Sequence, residues 1–217
     1  MSLTPPSDAP AGPGPVRQLS LFGTEAADPS PADLAGLLAG PAEIVRMGGT
    51  ARLSVVVDVA WRVHVLVAEL ARRGVHASWE ATGDRYRVRT SYTSVLAPLA
   101  AAWLPDADGP AAGPDLVRKR PPVAFHLNGR RLRLWLAAAG VAEPSGFRLH
   151  LGPADGPCRA PVGRALAAIG LPGVFLDAGV DGPTYRISGR RRLARLAELV
   201  GDRPAAAPAA EWPSGPT

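Results

Sequence analysis

The chain has 217 residues, enough for one sizeable core or for two small modules. Its 24 Lys and Arg residues exceed its 19 Asp and Glu residues, and Lys119 is the single lysine. This arginine-rich surplus of positive charge favours an anionic partner, nucleic acid before a membrane surface, because no Lys-rich amphipathic helix is present. The one cysteine, Cys158, excludes an internal disulfide and a thiolate zinc cluster, and we expect it to be a small buried or half-buried apolar residue.

The sequence contains no run of 18 or more apolar residues, and its first residues, MSLTPPSDAP, lack the charged and apolar regions of a signal peptide. We therefore expect a cytoplasmic, nucleoid-associated protein with no membrane partner. Neither of the glycine-rich phosphate-binding motifs, G-x-x-x-x-G-K-[ST] and G-x-G-x-x-G, occurs in the sequence. Nucleotide-dependent chemistry thus has no support, and no cofactor is expected.

Both ends of the chain differ in composition from its middle. Residues 1–30 and 202–217 are rich in Pro, Ala, Gly and Ser, which predicts disordered tails around a folded part at 31–201. The first tail contains the string Gln18-Leu19-Ser20-Leu21-Phe22. Because Leu-x-Leu-Phe in such a tail cannot bury itself, it indicates a short binding peptide. The alternative is that Val16 to Phe22 begins a strand or helix that packs on the folded part.

The QLSLF string at 18–22 resembles the bacterial sliding-clamp-binding motif, whose favoured form is QL(S/D)LF. The resemblance implies that the partner is the sliding clamp, the beta subunit of DNA polymerase III. It also implies that Gln18 supplies amide hydrogen bonds at the rim of a cleft on the clamp. Leu21 and Phe22 would then fill the apolar pocket of that cleft.

Residues 31–104 are predicted to form the order helix, strand, strand, helix, strand, strand, helix. Gly48-Gly49 is a hairpin signal, Gly83-Asp84 is a second turn, and Gly74 ends the middle helix. The predicted elements are, in order, 32–39, 42–47, 51–58, 61–73, 75–81, 85–92 and 95–104.

A Pro/Gly/Asp-rich stretch at 105–128 is predicted to be a linker, and residues 129–201 repeat the order of the first half. The elements predicted there are the helices 132–138, 161–169 and 191–200 and the strands 147–151, 174–177 and 185–188. This internal duplication predicts an α+β fold made of two αββαββα halves with two antiparallel sheets. Because the duplication already supplies two pseudo-symmetric halves, we expect a monomer.

Two strings at corresponding places in the halves carry a resemblance. Residues 34–42, LAGLLAGPA, resemble a degenerate LAGLIDADG motif, and residues 132–140, LRLWLAAAG, resemble its second copy. The resemblance to LAGLIDADG proteins covers about 31–200. It implies that the two motif helices pack side by side at the junction of the halves, and that the two sheets form a saddle over DNA.

The same resemblance bears on catalysis. In LAGLIDADG endonucleases the penultimate motif position is acidic, and the two carboxylates hold divalent metal ions. Here those positions are Pro41 and Ala139, so we expect no endonuclease activity and no metal site. Shifted carboxylates at Glu43 and Glu143 are an alternative, but they lie at different offsets from the motifs.

No other catalytic group is evident in the sequence. The four histidines are scattered, with none at the spacing of a zinc site: His64, His76, His126 and His150.

Successive side chains of the predicted strand at 85–92 point to opposite faces, which places Arg85, Arg87 and Arg89 on one face. They lie about 6–7 Å apart, close to the phosphate repeat of a nucleic-acid strand. Arg148 with His150, and Arg186 with Ser188, alternate in the same way in the second half. The alternative is an ordinary solvated sheet face. Further candidate DNA-binding residues are Arg118, Lys119 and Arg120 in the linker and Arg190 and Arg191 before the last helix.

These observations lead to the hypothesis of a non-catalytic DNA-binding accessory factor that the sliding clamp recruits in DNA replication or repair. An inactive LAGLIDADG-like transcription regulator of the WhiA type is an alternative, although no helix-turn-helix pattern follows the duplication. A divergent endonuclease that uses Glu43 or Glu143 is a third possibility.

Overall fold

The computed structural model describes residues 28–105, 118–177 and 182–214. The predicted QLSLF motif at 18–22 lies outside the described residues. Within them the chain forms six helices and eight strands in the order α1 Ala35–Ala39, β1 Glu43–Met47, β2 Thr50–Val57, α2 Ala60–Ala71, β3 Ala77–Thr82, β4 Arg85–Thr90, α3 Ala97–Trp103, α4 Gly129–Ala139, β5 Gly140–Glu143, β6 Gly146–His150, α5 Arg159–Ala168, β7 Val174–Leu176, β8 Thr184–Ser188 and α6 Arg190–Val200.

The strands form two four-stranded antiparallel sheets with the same order, β1-β2-β4-β3 in the first and β5-β6-β8-β7 in the second. The predicted α+β duplication is therefore confirmed. Buried and half-buried side chains alternate along β2. Leu53 and Val55 point into the core, while Arg52 and Ser54 point to the opposite face. We call this opposite face, which the helices leave uncovered, the open face of each sheet.

The two halves meet where α1 lies against α4. Gly36 of α1 makes this approach possible, because a Cβ atom at that position would overlap the carbonyl oxygen of Arg131 and lie 2.6 Å from its carbonyl carbon. Leu37 and Leu38 of α1 and Leu134 and Trp135 of α4 are almost completely buried around the junction. The small residue in the first motif string thus allows the helix packing that the resemblance implied.

Buried cations lie at the carboxyl ends of both helices of the junction. The guanidinium of Arg62 donates to the carbonyl oxygens of Leu136, Ala137 and Gly140 at the end of α4. The ammonium of Lys119 donates to the carbonyl oxygens of Gly40 and Ala42 beyond the end of α1. Positive charge at this end of a helix compensates its dipole and satisfies carbonyl groups that have no partner inside the helix.

Burial lowers the pKa of Arg62, and the nearby carboxylates of Asp58 and Glu211 oppose this shift.

The described part of the predicted linker is packed against the domain. Leu127 is buried, and the rings of Phe125 and Trp103 make an edge-to-face contact with centroids 5.3 Å apart. Lys119 is buried as well and forms an ion pair of 2.8 Å with Asp155. Residues 118–128 are therefore a structural segment, since apolar side chains at intervals in a Pro-rich stretch suffice to anchor it.

The expectation of a disordered tail at 202–217 is wrong for residues 202–214. Trp212 is buried against the guanidinium of Arg133, with 5.1 Å between the charge and the ring centroid. Glu211 accepts a hydrogen bond of 3.1 Å from the indole of Trp61. A single tryptophan buries enough apolar surface to hold a segment that composition alone marks as disordered.

None of the helices in the described residues is long and apolar enough to cross a membrane.

Candidate nucleic-acid interface

The open face of the first sheet carries a cluster of arginines. Arg85, Arg87 and Arg89 alternate along β4, and Val88 between the last two is fully buried on the other side. Ser54 of β2 lies opposite Arg89 in the ladder, so the polar positions of the two neighbouring strands adjoin. The alternation read from the sequence thus places these arginines together.

A carboxylate of the same face touches two of these arginines. Glu80 of β3 lies 3.6 Å from Arg87 through one oxygen and 3.6 Å from Arg89 through the other. The side chains of Arg87 and Arg89 remain 43% and 45% exposed. Ion pairs of this length and exposure are weak, so both guanidiniums stay accessible to another anion.

Arg52 of β2 belongs to the same cluster, although the sequence analysis did not single it out. Its guanidinium lies over the ring of Tyr92, 5.0 Å from the centroid. Arg52, Arg87 and Arg89 line a cleft of about 280 Å³, together with Ser54 and Glu43. The signal that could have identified Arg52 was present in the alternation of β2, where it precedes Ser54 by two residues.

The second sheet has a similar but tighter arrangement. Glu143 of β5 lies 2.7 Å from Arg148 and 3.0 Å from Arg186, with one carboxylate oxygen on each. The guanidinium of Arg186 also donates to the hydroxyl of Ser145 at 2.8 Å. Glu143 is thus the counter-ion of the two arginines that the sequence analysis placed on this face.

The other candidate cations are spread over different parts of the fold. Arg118 and Arg120 are exposed on either side of Lys119, and Arg190 and Arg191 are exposed in the first turn of α6. The proposed DNA-binding role of Lys119 is wrong, because its ammonium is buried and bonded to Asp155 and to two carbonyl oxygens. The sequence could not separate it from its exposed neighbours because the three cations are consecutive.

Two known structures have a similar architecture. The homing endonuclease I-WcaI bound to its DNA recognition sequence superposes with a TM-score of 0.52 at 14% identity, over 87% of this chain and 89% of that chain. I-DmoI in complex with DNA and Mn gives a TM-score of 0.47 at 14% identity, over 80% of this chain and 97% of that chain. The chain has the fold of the LAGLIDADG homing endonucleases. No protein-family model matches it, and no curated protein does.

At 14% identity the likeness to these homing endonucleases extends to the fold alone. In this chain Pro41 lies just beyond the end of α1, and Ala139 is the last residue of α4. Glu43 is exposed on β1, and Glu143 is paired with two arginines. Among the residues that the structure describes, no three His, Cys, Asp or Glu side chains are placed to hold one metal ion together.

Proposed function

We propose that this protein is a non-catalytic DNA-binding factor that is recruited to the replication sliding clamp through the QLSLF string. The observation that carries the DNA-binding part is the row of Arg85, Arg87 and Arg89 on an open sheet face, joined there by Arg52. Guanidiniums about 6–7 Å apart along a strand match the phosphate spacing of a nucleic-acid strand. I-WcaI, which has the same fold, is a protein bound to its DNA recognition sequence.

The absence of catalysis is supported by the chemistry at the ends of α1 and α4. Neither Pro41 nor Ala139 has a side chain that can bind a metal ion. Instead, Lys119 and Arg62 contact the carbonyl groups at these helix ends. These carbonyl oxygens already accept hydrogen bonds from the two cations, which are themselves paired with Asp155 and Asp58.

Recruitment to the clamp is supported by the sequence of residues 18–22. A linked binding segment holds the domain near the DNA that the clamp encircles, at an effective concentration on the order of millimolar. Weak, salt-sensitive binding by the arginine faces would then be sufficient for action in replication or repair.

Fluorescence anisotropy with a labelled duplex at several salt concentrations tests the DNA-binding part. The double substitution Arg85→Ala/Arg87→Ala should weaken binding at least tenfold and reduce the salt slope by about two. The matched control is Arg72→Ala/Arg164→Ala, which removes the same charge from two exposed positions. Arg72 lies at the end of α2, and Arg164 lies on α5. Equal losses in both variants would contradict DNA binding on the open face.

Surface plasmon resonance on immobilised clamp tests the recruitment. The wild type should bind with roughly micromolar affinity, and Leu21→Ala/Phe22→Ala should abolish this binding while DNA binding stays intact. Leu3→Ala/Val16→Ala removes apolar groups outside the motif and should bind like the wild type. A wild type that does not bind the clamp would refute the recruitment.

Incubation of the protein with duplex DNA and Mg²⁺ or Mn²⁺ tests the absence of catalysis. We expect intact DNA. Cleavage that disappears in Glu43→Gln would instead establish a divergent nuclease.

A further inference from the structure

The cleft on the open face of the first sheet brings several hydrogen-bond donors together. Arg52, Arg87, Arg89 and Ser54 line it, and Glu43 is the acidic residue among its lining residues. We call this site the arginine cleft. Its volume of about 280 Å³ exceeds that of a single phosphate group, so a phosphate can enter with part of its hydration.

Arg52 is held in the arginine cleft by an aromatic ring. The ring of Tyr92 supports its guanidinium from one face, and in the part of the chain that the structure describes Arg52 forms no salt bridge. A guanidinium stacked on a ring keeps its in-plane N–H donors available, since stacking uses only the face of the group. The ring of Tyr92 therefore restrains Arg52 without taking up its N–H donors.

Arg87 and Arg89 are restrained only loosely by Glu80. Both distances to this carboxylate are 3.6 Å, beyond the usual length of a charge-assisted hydrogen bond. A phosphate oxygen at about 2.8 Å would make a stronger contact than Glu80 does. Glu80 restrains the side chains of Arg87 and Arg89 but leaves their N–H donors available to another anion.

The arginines of the second sheet are already engaged by an internal anion. Arg148 pairs with Val141 in the β5–β6 ladder, two residues from the hairpin end at Glu143 and Gly146. Arg52 pairs with Val45 in the β1–β2 ladder, two residues from the hairpin end at Met47 and Thr50.

Counted from the hairpin end alone, Arg148 has the position of Arg52, and Glu143 has the position of Met47. Glu143 contacts Arg148 at 2.7 Å, whereas the thioether of Met47 offers no charge to Arg52. Glu143 thus contacts both arginines of the second sheet closely, whereas on the first sheet Glu80 contacts Arg87 and Arg89 only at 3.6 Å.

We propose that the arginine cleft is a binding site for one phosphate group, and that DNA supplies this phosphate. The inference deepens the proposed DNA binding and rests on it for the source of the phosphate. It makes the first sheet the anchor of the complex. The second sheet, whose arginines Glu143 already engages, contributes less to affinity.

Titration of the full chain with inorganic phosphate, followed by NMR of the arginine Nε–H groups, tests the site itself. Arg52, Arg87 and Arg89 should shift along one saturating curve, while Arg148 and Arg186 should stay unchanged. Arg52→Ala should remove the saturation, and Arg148→Ala should keep it. Small linear shifts of all arginines alike would overturn the proposal.

Titration of the same variants with a duplex, by anisotropy at several salt concentrations, tests the source of the phosphate. Arg52→Ala should lose at least tenfold in affinity and about one unit of salt slope, against less than threefold for Arg148→Ala. If Arg52→Ala and Arg148→Ala lost affinity for the duplex equally while the wild type bound it normally, the arginine cleft would be overturned as the phosphate site. The proposed DNA binding would then stand. Saturable binding of inorganic phosphate by a wild type that does not bind DNA would support a site for free phosphate and refute the proposed function.

Discussion

Arg62 in α2 of the first half donates a hydrogen bond of 3.0 Å to the carbonyl oxygen of Ala137 in α4 of the second half. The same guanidinium reaches the carbonyl groups of Leu136 and Gly140, and it forms an ion pair of 3.1 Å with Asp58. One buried cation therefore joins the two halves at the end of the central helix. The two halves should unfold as one cooperative unit.

Replacement of Arg62 by Ala should lower the free energy of unfolding by about 3–5 kcal/mol, because several buried carbonyl oxygens lose their donor. Chemical denaturation measures the change. Arg72→Ala, at an exposed position that ends the same helix, should change it by less than about 0.5 kcal/mol. A similar small change in both variants would contradict the role of Arg62 at the junction.

Gly36→Ala should destabilise the protein by about 3 kcal/mol or prevent folding, because the added methyl overlaps the backbone of Arg131. Gly49→Ala is the control, since within the described residues no atom outside its chain neighbours lies within 4 Å of the position that its Cβ would occupy. Thermal or denaturant unfolding of both variants measures the difference. Equal stability would show that α1 and α4 do not approach as closely as described.

Trp212→Ala should cost about 3 kcal/mol of stability, because it leaves a cavity and removes the ring that covers Arg133. Ser214→Ala, at an exposed position two residues later, is expected to be neutral. Limited proteolysis offers a second measurement, because the chain near 204–212 should become accessible only in the tryptophan variant. Unchanged stability would mean that this segment does not hold to the domain in solution.

Burial raises the pKa of the Cys158 thiol to about 12. The unfolded thiol ionises near 8.5, so the folded chain holds this proton more tightly than the unfolded chain does. The contribution of the protonated Cys158 thiol to the free energy of unfolding is fully present below pH about 8.5. It is lost as the pH rises toward 12, at up to about 1.4 kcal/mol per pH unit.

Cys158→Ala should therefore flatten the alkaline side of the stability curve, which denaturation at a series of pH values measures. The folded wild type should also resist iodoacetamide until it is unfolded. Rapid alkylation of the folded protein, or an unchanged alkaline slope in the variant, would show that the thiol is not buried.

Much of the fold follows from local patterns in the sequence. The helical period at 61–73 and the alternation at 85–92 predict α2 and β4, because each of these elements buries one face on the core. The strand β5, Gly140–Glu143, was missing from the predicted elements. Its four residues, GVAE, contain one β-branched side chain, and they form a strand because β6 pairs with them.

The candidate site was predictable only in part. Alternation along one strand located Arg87 and Arg89, since it depends on residues two apart. The roles of Glu80 and Glu143 depend on which strands are neighbours, and no local pattern contains that information. Lys119 illustrates the same limit, because its partners at Gly40, Ala42 and Asp155 are distant in the sequence.

Arginine footprinting with phenylglyoxal, read by mass spectrometry with and without duplex DNA, tests the central claim most directly. The open-face account predicts that DNA protects Arg52, Arg85, Arg87 and Arg89 from modification, while the exposed Arg72 and Arg164 react as before. Protection of Arg72 and Arg164 with unchanged reactivity of the open-face arginines would contradict it.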